Sequence, residues 1–243
     1  MKEFFKNKKN VTIVIVAIIA IVGILLLLNY FINTRLSNLE KVKINEFTDN
    51  IGNYLDEIYD YDDEGKYINF AVEYLYNNSD DDTFEMDEVI DVINDYFDVD
   101  VSTDNVIDIG ITDRMLSKGI SYNSSDGTFK YSNSYTRLDI ANMPIIKYEV
   151  KSIKKNSKNK FTIVFEKLIV KNPYDILNYY NDSNSKKEIT DEIFSYLKGE
   201  AKISSIKKYV NKEHIKDMNG KVDDEIKINL IIKNDKLLVS SEK

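Results

Sequence analysis

Cysteine and tryptophan are absent from this chain of 243 residues, histidine occurs once and proline twice. Without cysteine there is no disulfide, zinc thiolate, iron–sulfur cluster or thiol nucleophile, and no lipoprotein-type acylation. A single histidine excludes a two-histidine zinc site within one chain, and no His-Glu-x-x-His pair or phosphate loop occurs. That residue, His214, lies in the lysine-rich stretch NKEHIKDMNG, which reads as an exposed connection. Arginine is rare and never interleaved with aromatics, so no nucleic-acid partner is expected. The sequence assigns no catalytic residue, no cofactor-binding residue and no metal ligand.

What the chain does have is a long apolar run. From Val11 to Ile32 no residue is charged. Twenty-two residues at a rise of about 1.5 Å span roughly 33 Å, enough to cross a hydrocarbon core of about 30 Å. A secretory signal has a shorter apolar region and ends in small residues; this run ends in LLLLNYFINTRL, with bulky ones. An uncleaved transmembrane helix over residues 11–32 is therefore expected, with the lipid bilayer as its partner. Lys2, Lys6, Lys8 and Lys9 crowd residues 1–10, which favours a cytoplasmic tail and an extracytoplasmic remainder. Tyr30 and Phe31 stand where aromatic side chains meet the outer headgroups. The localisation expected is the cell membrane, single-pass, and the richness in Lys, Asn, Ile and Tyr points to an AT-rich bacterial genome.

Charge divides the rest. Residues 33–100 carry four basic and twenty acidic side chains, and residues 101–243 carry twenty-five basic and twenty acidic. Such asymmetry marks either two halves that dock on each other or surfaces for other partners. In the acidic segment, Leu36, Leu39, Ile44, Phe47, Ile51, Leu55 and Ile58 recur at helical steps, which suggests that the membrane helix continues outward as a stalk. YINFAVEYLY (67–76) reads as a helix. Asp82 or Thr83 is placed to cap another, in which Met86, Val89, Ile90, Ile93 and Phe97 share a face.

Beyond residue 100 the pattern turns to strands. Val106, Ile107, Ile109 and Ile111 look extended, and SSDG (124–127) is a turn. IIKYEVKSIKK (145–155) and KFTIVFEKLIV (160–170) form a hairpin signal around NSKN. Asn172-Pro173 opens a helix, and TDEIFSYLK runs to Gly199 as another. AKISSIKKYV reads as a strand, and the C-terminal stretch as two strands around Asn234-Asp235. The fold expected is α+β: an anchor, an acidic helical segment over 33–100 and an antiparallel sheet domain with inserted helices over 101–243.

Several constellations invite chemistry. Asp60, Asp62, Glu64 and Gly65 match the start of a calcium loop, but its twelfth position is Ala71 where a bidentate Glu is required. A second frame, Asn77 to Glu88, has Asp82 where the sharp turn needs glycine. Ser152, Ser195 and Ser205 each precede a lysine by three residues, without the companion elements of penicillin-recognising enzymes. No carboxylate stands in an obviously apolar pocket segment, where a raised pKa could be argued. The tyrosines, Tyr54, Tyr59, Tyr61, Tyr67, Tyr174, Tyr179 and Tyr180 among them, read as core and rim packing. The function expected is a non-enzymatic scaffold or adaptor for other membrane or envelope proteins, of open oligomeric state. The alternative is a surface hydrolase or ligand-binding domain acting on wall polymer.

Overall fold

The computed structural model describes residues 16, 19–28, 30, 35–59, 65–102, 116, 119–132, 136–182 and 187–240. The apolar run is helical over 19–28. Among the described residues no helix is long and apolar enough to cross a membrane, and positions 11–15, 17–18, 29 and 31–32 of the expected span lie outside them. The described part belongs to neither hydrophobic core. Its side chains are uncovered on every face of the helix, from 48% at Val22 to 65% at Ile19 and Leu26.

The expected stalk is corrected at Ser37. Residues 35–37 are not helical, and a new helix, α1 (Asn38–Gly52), begins after them. Ser37 Oγ accepts from the Glu40 N–H at 3.1 Å, and the Ser37 N–H donates to Glu40 Oε2 at 2.8 Å. This reciprocal cap fixes the start of a new helix. Helices α2 (Leu55–Tyr59), α3 (Gly65–Asn78) and α4 (Met86–Tyr96) follow, with the short strand β1 (Thr83–Glu85) between the last two. Neither Asp82 nor Thr83 caps α4. The buried Phe84 pairs opposite Phe129 on an extended strand, so α4 starts later, where the Glu85 N–H donates to Glu88 at 2.8 Å.

β1 joins β2 (Ile120–Asn123) and β3 (Thr128–Tyr131) in a small antiparallel sheet of order β1-β3-β2, with Gly127 at positive φ in the SSDG turn. The expected strands near Val106 to Ile111 lie outside the described residues. A second antiparallel sheet runs in chain order through β4 (Ile145–Lys155), β5 (Lys160–Val170), β6 (Lys221–Lys233) and β7 (Lys236–Val239). Asn234 and Asp235, both at positive φ, close the last hairpin, a conformation that Asn and Asp tolerate. Helices α5 (Arg137–Asn142), α6 (Pro173–Asp182), α7 (Lys187–Leu197) and α8 (Ser204–Lys207) complete the fold. The last of these replaces the strand expected in AKISSIKKYV. Ile203 and Ile206 are three residues apart and both face the second core, which a two-residue alternation would place on opposite sides, and Val210 joins them one helical step further on. As the sequence suggests, Asn172 Oδ1 accepts from the Asp175 N–H at the start of α6, and Gly199 at positive φ stops α7.

Two cores lie on opposite faces of the large sheet. On β5 the odd positions Phe161, Ile163 and Phe165 enter the first core, with Ile228 and Leu230 of β6 and the helices α1 to α4. The even positions Leu168 and Val170 enter the second, with Ile145 and helices α5 to α8. Successive strand residues point to opposite sides, so β5 is covered on one face along its first half and on the other along its second. The acidic segment is thus one wall of the first core. Its carboxylates meet the basic part directly: Glu40 with Lys155 at 2.6 Å, Asp56 with Lys167 at 3.0 Å, Asp95 with Lys236 at 2.5 Å and Asp98 with Lys233 at 2.7 Å.

Candidate functional site

Where the two helical layers meet around the edge strand β4, they leave a cleft of about 180 Å³. One wall is apolar: Ile140, Met143 and Ile203 come from the side of the second layer, and Ile146 from β4. The other is polar and comes from the first: Asp56, Glu73 and Tyr131, with Lys202 and Lys207 reaching across. Helix propensity and the apolar steps of NFAVEYLY put Phe70, Ala71 and Val72 in the core. The same turn carries Glu73 to the boundary between the layers.

Glu73 is the chemically distinctive residue of the cleft. Its carboxylate accepts a hydrogen bond from the Tyr131 hydroxyl at 3.3 Å, a long one. Burial pushes its pKa above the ordinary carboxylate value, and the nearby Asp56 charge adds to this, while Lys207 and the Tyr131 bond pull the other way. Asp56 is held differently. Its Oδ1 accepts from the Tyr148 hydroxyl and from Lys167 Nζ, the latter at 3.0 Å. The cleft thus holds two carboxylates in unlike surroundings, Glu73 buried beside Tyr131 and Asp56 paired with Lys167. The cleft's two principal lysines serve the framework: Lys202 Nζ donates to the Tyr76 and Ser79 carbonyls and lies over the Tyr76 ring, and Lys207 Nζ donates to the Asn53 carbonyl at 2.8 Å. A cleft of this volume takes a small molecule, since ligand pockets for larger ones run from roughly 300 Å³ upward.

Sequence reasoning missed Glu73, and the expectation that no carboxylate stands in an apolar segment is corrected here. The signal was a lone acid within NFAVEYLY. Its importance depends on Tyr131 and Lys207, which are 58 and 134 positions away and invisible to a local reading.

The other candidates are structurally engaged. Ser195 Oγ donates to Glu200 at 3.5 Å, Ser205 Oγ to the Lys202 carbonyl at 2.8 Å, and Lys208 pairs with Glu192 at 2.8 Å. His214 stacks on Tyr179 and faces Asp217 at 3.6 Å. Of the calcium half-motifs, Asp60, Asp62 and Glu64 lie outside the described residues, and Gly65 opens α3. In the second frame Asn77 bonds Glu73 and Ser204, and Asp82 meets Lys130 at 3.7 Å. Among the described residues no group of three acidic or histidine side chains is arranged to hold a metal ion. Tyr54 is in the first core, Tyr179 and Tyr180 pack on the second, and Tyr174 is exposed.

No protein-family model matches this chain, and no curated protein or solved structure matches it either.

Proposed function

We propose that the chain is a single-pass membrane protein whose α+β domain is a non-enzymatic scaffold or adaptor held at the membrane surface. The observation that carries this reading is the helix over 19–28. Its apolar side chains are half to two-thirds exposed on every face, in a chain that elsewhere builds two apolar cores. A helix apolar all round is stable only where something apolar surrounds it. The flanking Lys2, Lys6, Lys8 and Lys9 support an inward N-terminus and an outer domain. The non-catalytic part of the reading is supported by Ser195, Ser205 and His214, whose partners are the structural ones described above.

The test uses the absence of native thiols. The full chain is expected to resist alkaline carbonate extraction. Single cysteines at Asn7 and Ser125 should label from the cytoplasmic and outer sides respectively, and the reverse pattern would refute the orientation.

A second reading, a ligand-binding outer domain, is favoured by the cleft of Glu73 and Asp56. Its size favours a small molecule over a polymer chain. A ligand with an ammonium group would suit the two carboxylates and would raise the melting temperature of the native protein more than that of Glu73→Gln.

A further inference from the structure

Most lysines of the large sheet have a carboxylate partner. Lys147 meets Glu149, Lys151 meets Glu166 and Glu225, Lys155 meets Glu40, and Lys233 and Lys236 meet α4 and its C-terminal flank. At one end of the domain this pattern stops. Arg35, just before α1, Lys41, in its first turn, and Lys154, near the end of β4, are exposed and meet no carboxylate among the described residues. Together with Tyr30, Leu36 and Asn156 they line one open basin of about 660 Å³. The acid nearest in sequence, Glu40, is already engaged through both oxygens: Oε1 accepts from Lys155 at 2.6 Å and Oε2 from the Ser37 N–H at 2.8 Å. Lys155 also lines the basin but is answered by Glu40, so Arg35, Lys41 and Lys154 are left as three positive charges that meet no carboxylate among the described residues.

Its position suggests what neutralises them. Tyr30 belongs to the apolar helix, so the basin opens beside the point where that helix leaves its apolar surroundings. Tyrosine at such a point sits at headgroup depth. Basic side chains next to a membrane helix are drawn to anionic lipid, with a gain of about fivefold in affinity per cation at a strongly anionic surface.

The geometry points to a binding site for the phosphate of an anionic lipid headgroup, formed by Arg35, Lys41 and Lys154 beside Tyr30. This rests on the membrane anchoring argued above and adds to it a docked orientation. The β4–β5 hairpin end of the domain faces the bilayer, and the cleft of Glu73 is carried elsewhere on the domain.

The experiment uses the full chain reconstituted in nanodiscs of phosphatidylcholine with a minority of phosphatidylglycerol. After mild detergent extraction, the lipids retained by the protein are quantified by mass spectrometry. Phosphatidylglycerol should be enriched several-fold over its share in the disc. The triple variant Arg35→Gln, Lys41→Gln, Lys154→Gln should bring the ratio back to that of the bulk lipid, whereas Lys227→Gln on β6 should leave it unchanged. All three substitutions are on the surface, and an unchanged circular dichroism spectrum confirms folding. No enrichment in the native chain, or enrichment that survives the triple variant, overturns the site. Inorganic phosphate added to the native chain should lower the enrichment more than chloride at equal ionic strength, and enrichment that phosphate affects no more than chloride would overturn the assignment to a headgroup phosphate. Carbonate extraction is read separately. A chain that stays in the membrane without enriching the anionic lipid loses only the headgroup site, whereas one that washes out loses the anchor as well.

Discussion

Glu73 shows how a single residue can be carried against its own chemistry. A carboxyl at the boundary between two layers exchanges water for one long hydrogen bond and a neighbouring lysine, and its pKa rises because burial outweighs both. The consequence for stability follows from proton binding. A group with a raised folded-state pKa binds its proton more tightly when folded, so its favourable contribution is complete below the ordinary carboxylate value of 4.5 and is lost as pH rises through the folded pKa. Glu73→Gln removes the charge and keeps the shape. It is expected to raise the thermal midpoint at pH 7.5, by the equivalent of about 1 kcal/mol. The advantage should shrink steadily toward pH 5, as followed by circular dichroism melts. A variant less stable than the native protein at pH 7.5 would mean that Lys207 needs the full charge.

Among the elements, β5 is the one that most repays attention. Its change of covered face leaves Glu166 at the crossover, with Glu149 opposite on β4 and Glu225 opposite on β6. Like charges directly opposite on neighbouring strands destabilise a sheet, and here lysines clamp the row. Lys151, at the β4 bulge, reaches both Glu166 and Glu225, while Lys212 pairs with Glu166 at 2.5 Å. The Lys212 bond, helped by Lys151, holds the Glu166 carboxyl below its ordinary value. Glu166 therefore contributes stability that is present above pH 4.5 and is lost as pH falls through the depressed pKa. Replacing both lysines, Lys151→Met with Lys212→Met, should lower the thermal midpoint at pH 7 by several degrees. It should cost less at pH 3, where Glu166 is losing the stability that its depressed pKa supplies at pH 7. An equal loss at both pH values would assign the lysines a packing role alone. The hairpin of β4 and β5 was legible in the sequence from its alternation and its NSKN turn. The change of covered face was not, because KFTIVFEKLIV is apolar at positions of both parities and periodicity does not say which layer covers which half.

For the molecule as a whole, the acidic and basic parts turn out to be complementary walls of one structure. Ion pairs of this kind on a surface add little each. The joining force is the apolar contact of Ile44, Ile51, Phe70 and Ile93 with Phe161, Ile163 and Phe165. A fragment covering 35–243, which keeps the Ser37 cap and both cores, is expected to fold, to be soluble and to melt in one transition. A fragment covering 101–243 should expose Phe161, Phe165, Ile228 and Leu230 and behave as an aggregating or partly ordered chain. Independent cooperative melting of 101–243 would show that the acidic helices only decorate a finished domain.

Length and lack of charge in residues 11–32 carry the proposal of an anchor, since crossing a bilayer is a one-dimensional requirement. The hairpins and the helices with clear caps were legible for a similar reason: their signals lie within a few residues of one another. Tertiary structure alone decided that AKISSIKKYV holds the short helix Ser204–Lys207 and no strand, that the chain turns afresh at Ser37, and that the acidic half serves as a wall. It alone brought Glu73 to Tyr131 and Lys207, and left Arg35, Lys41 and Lys154 together without a carboxylate partner among the described residues. Each of these depends on which distant surfaces meet, and the burial and pairing that result are properties of the packed chain.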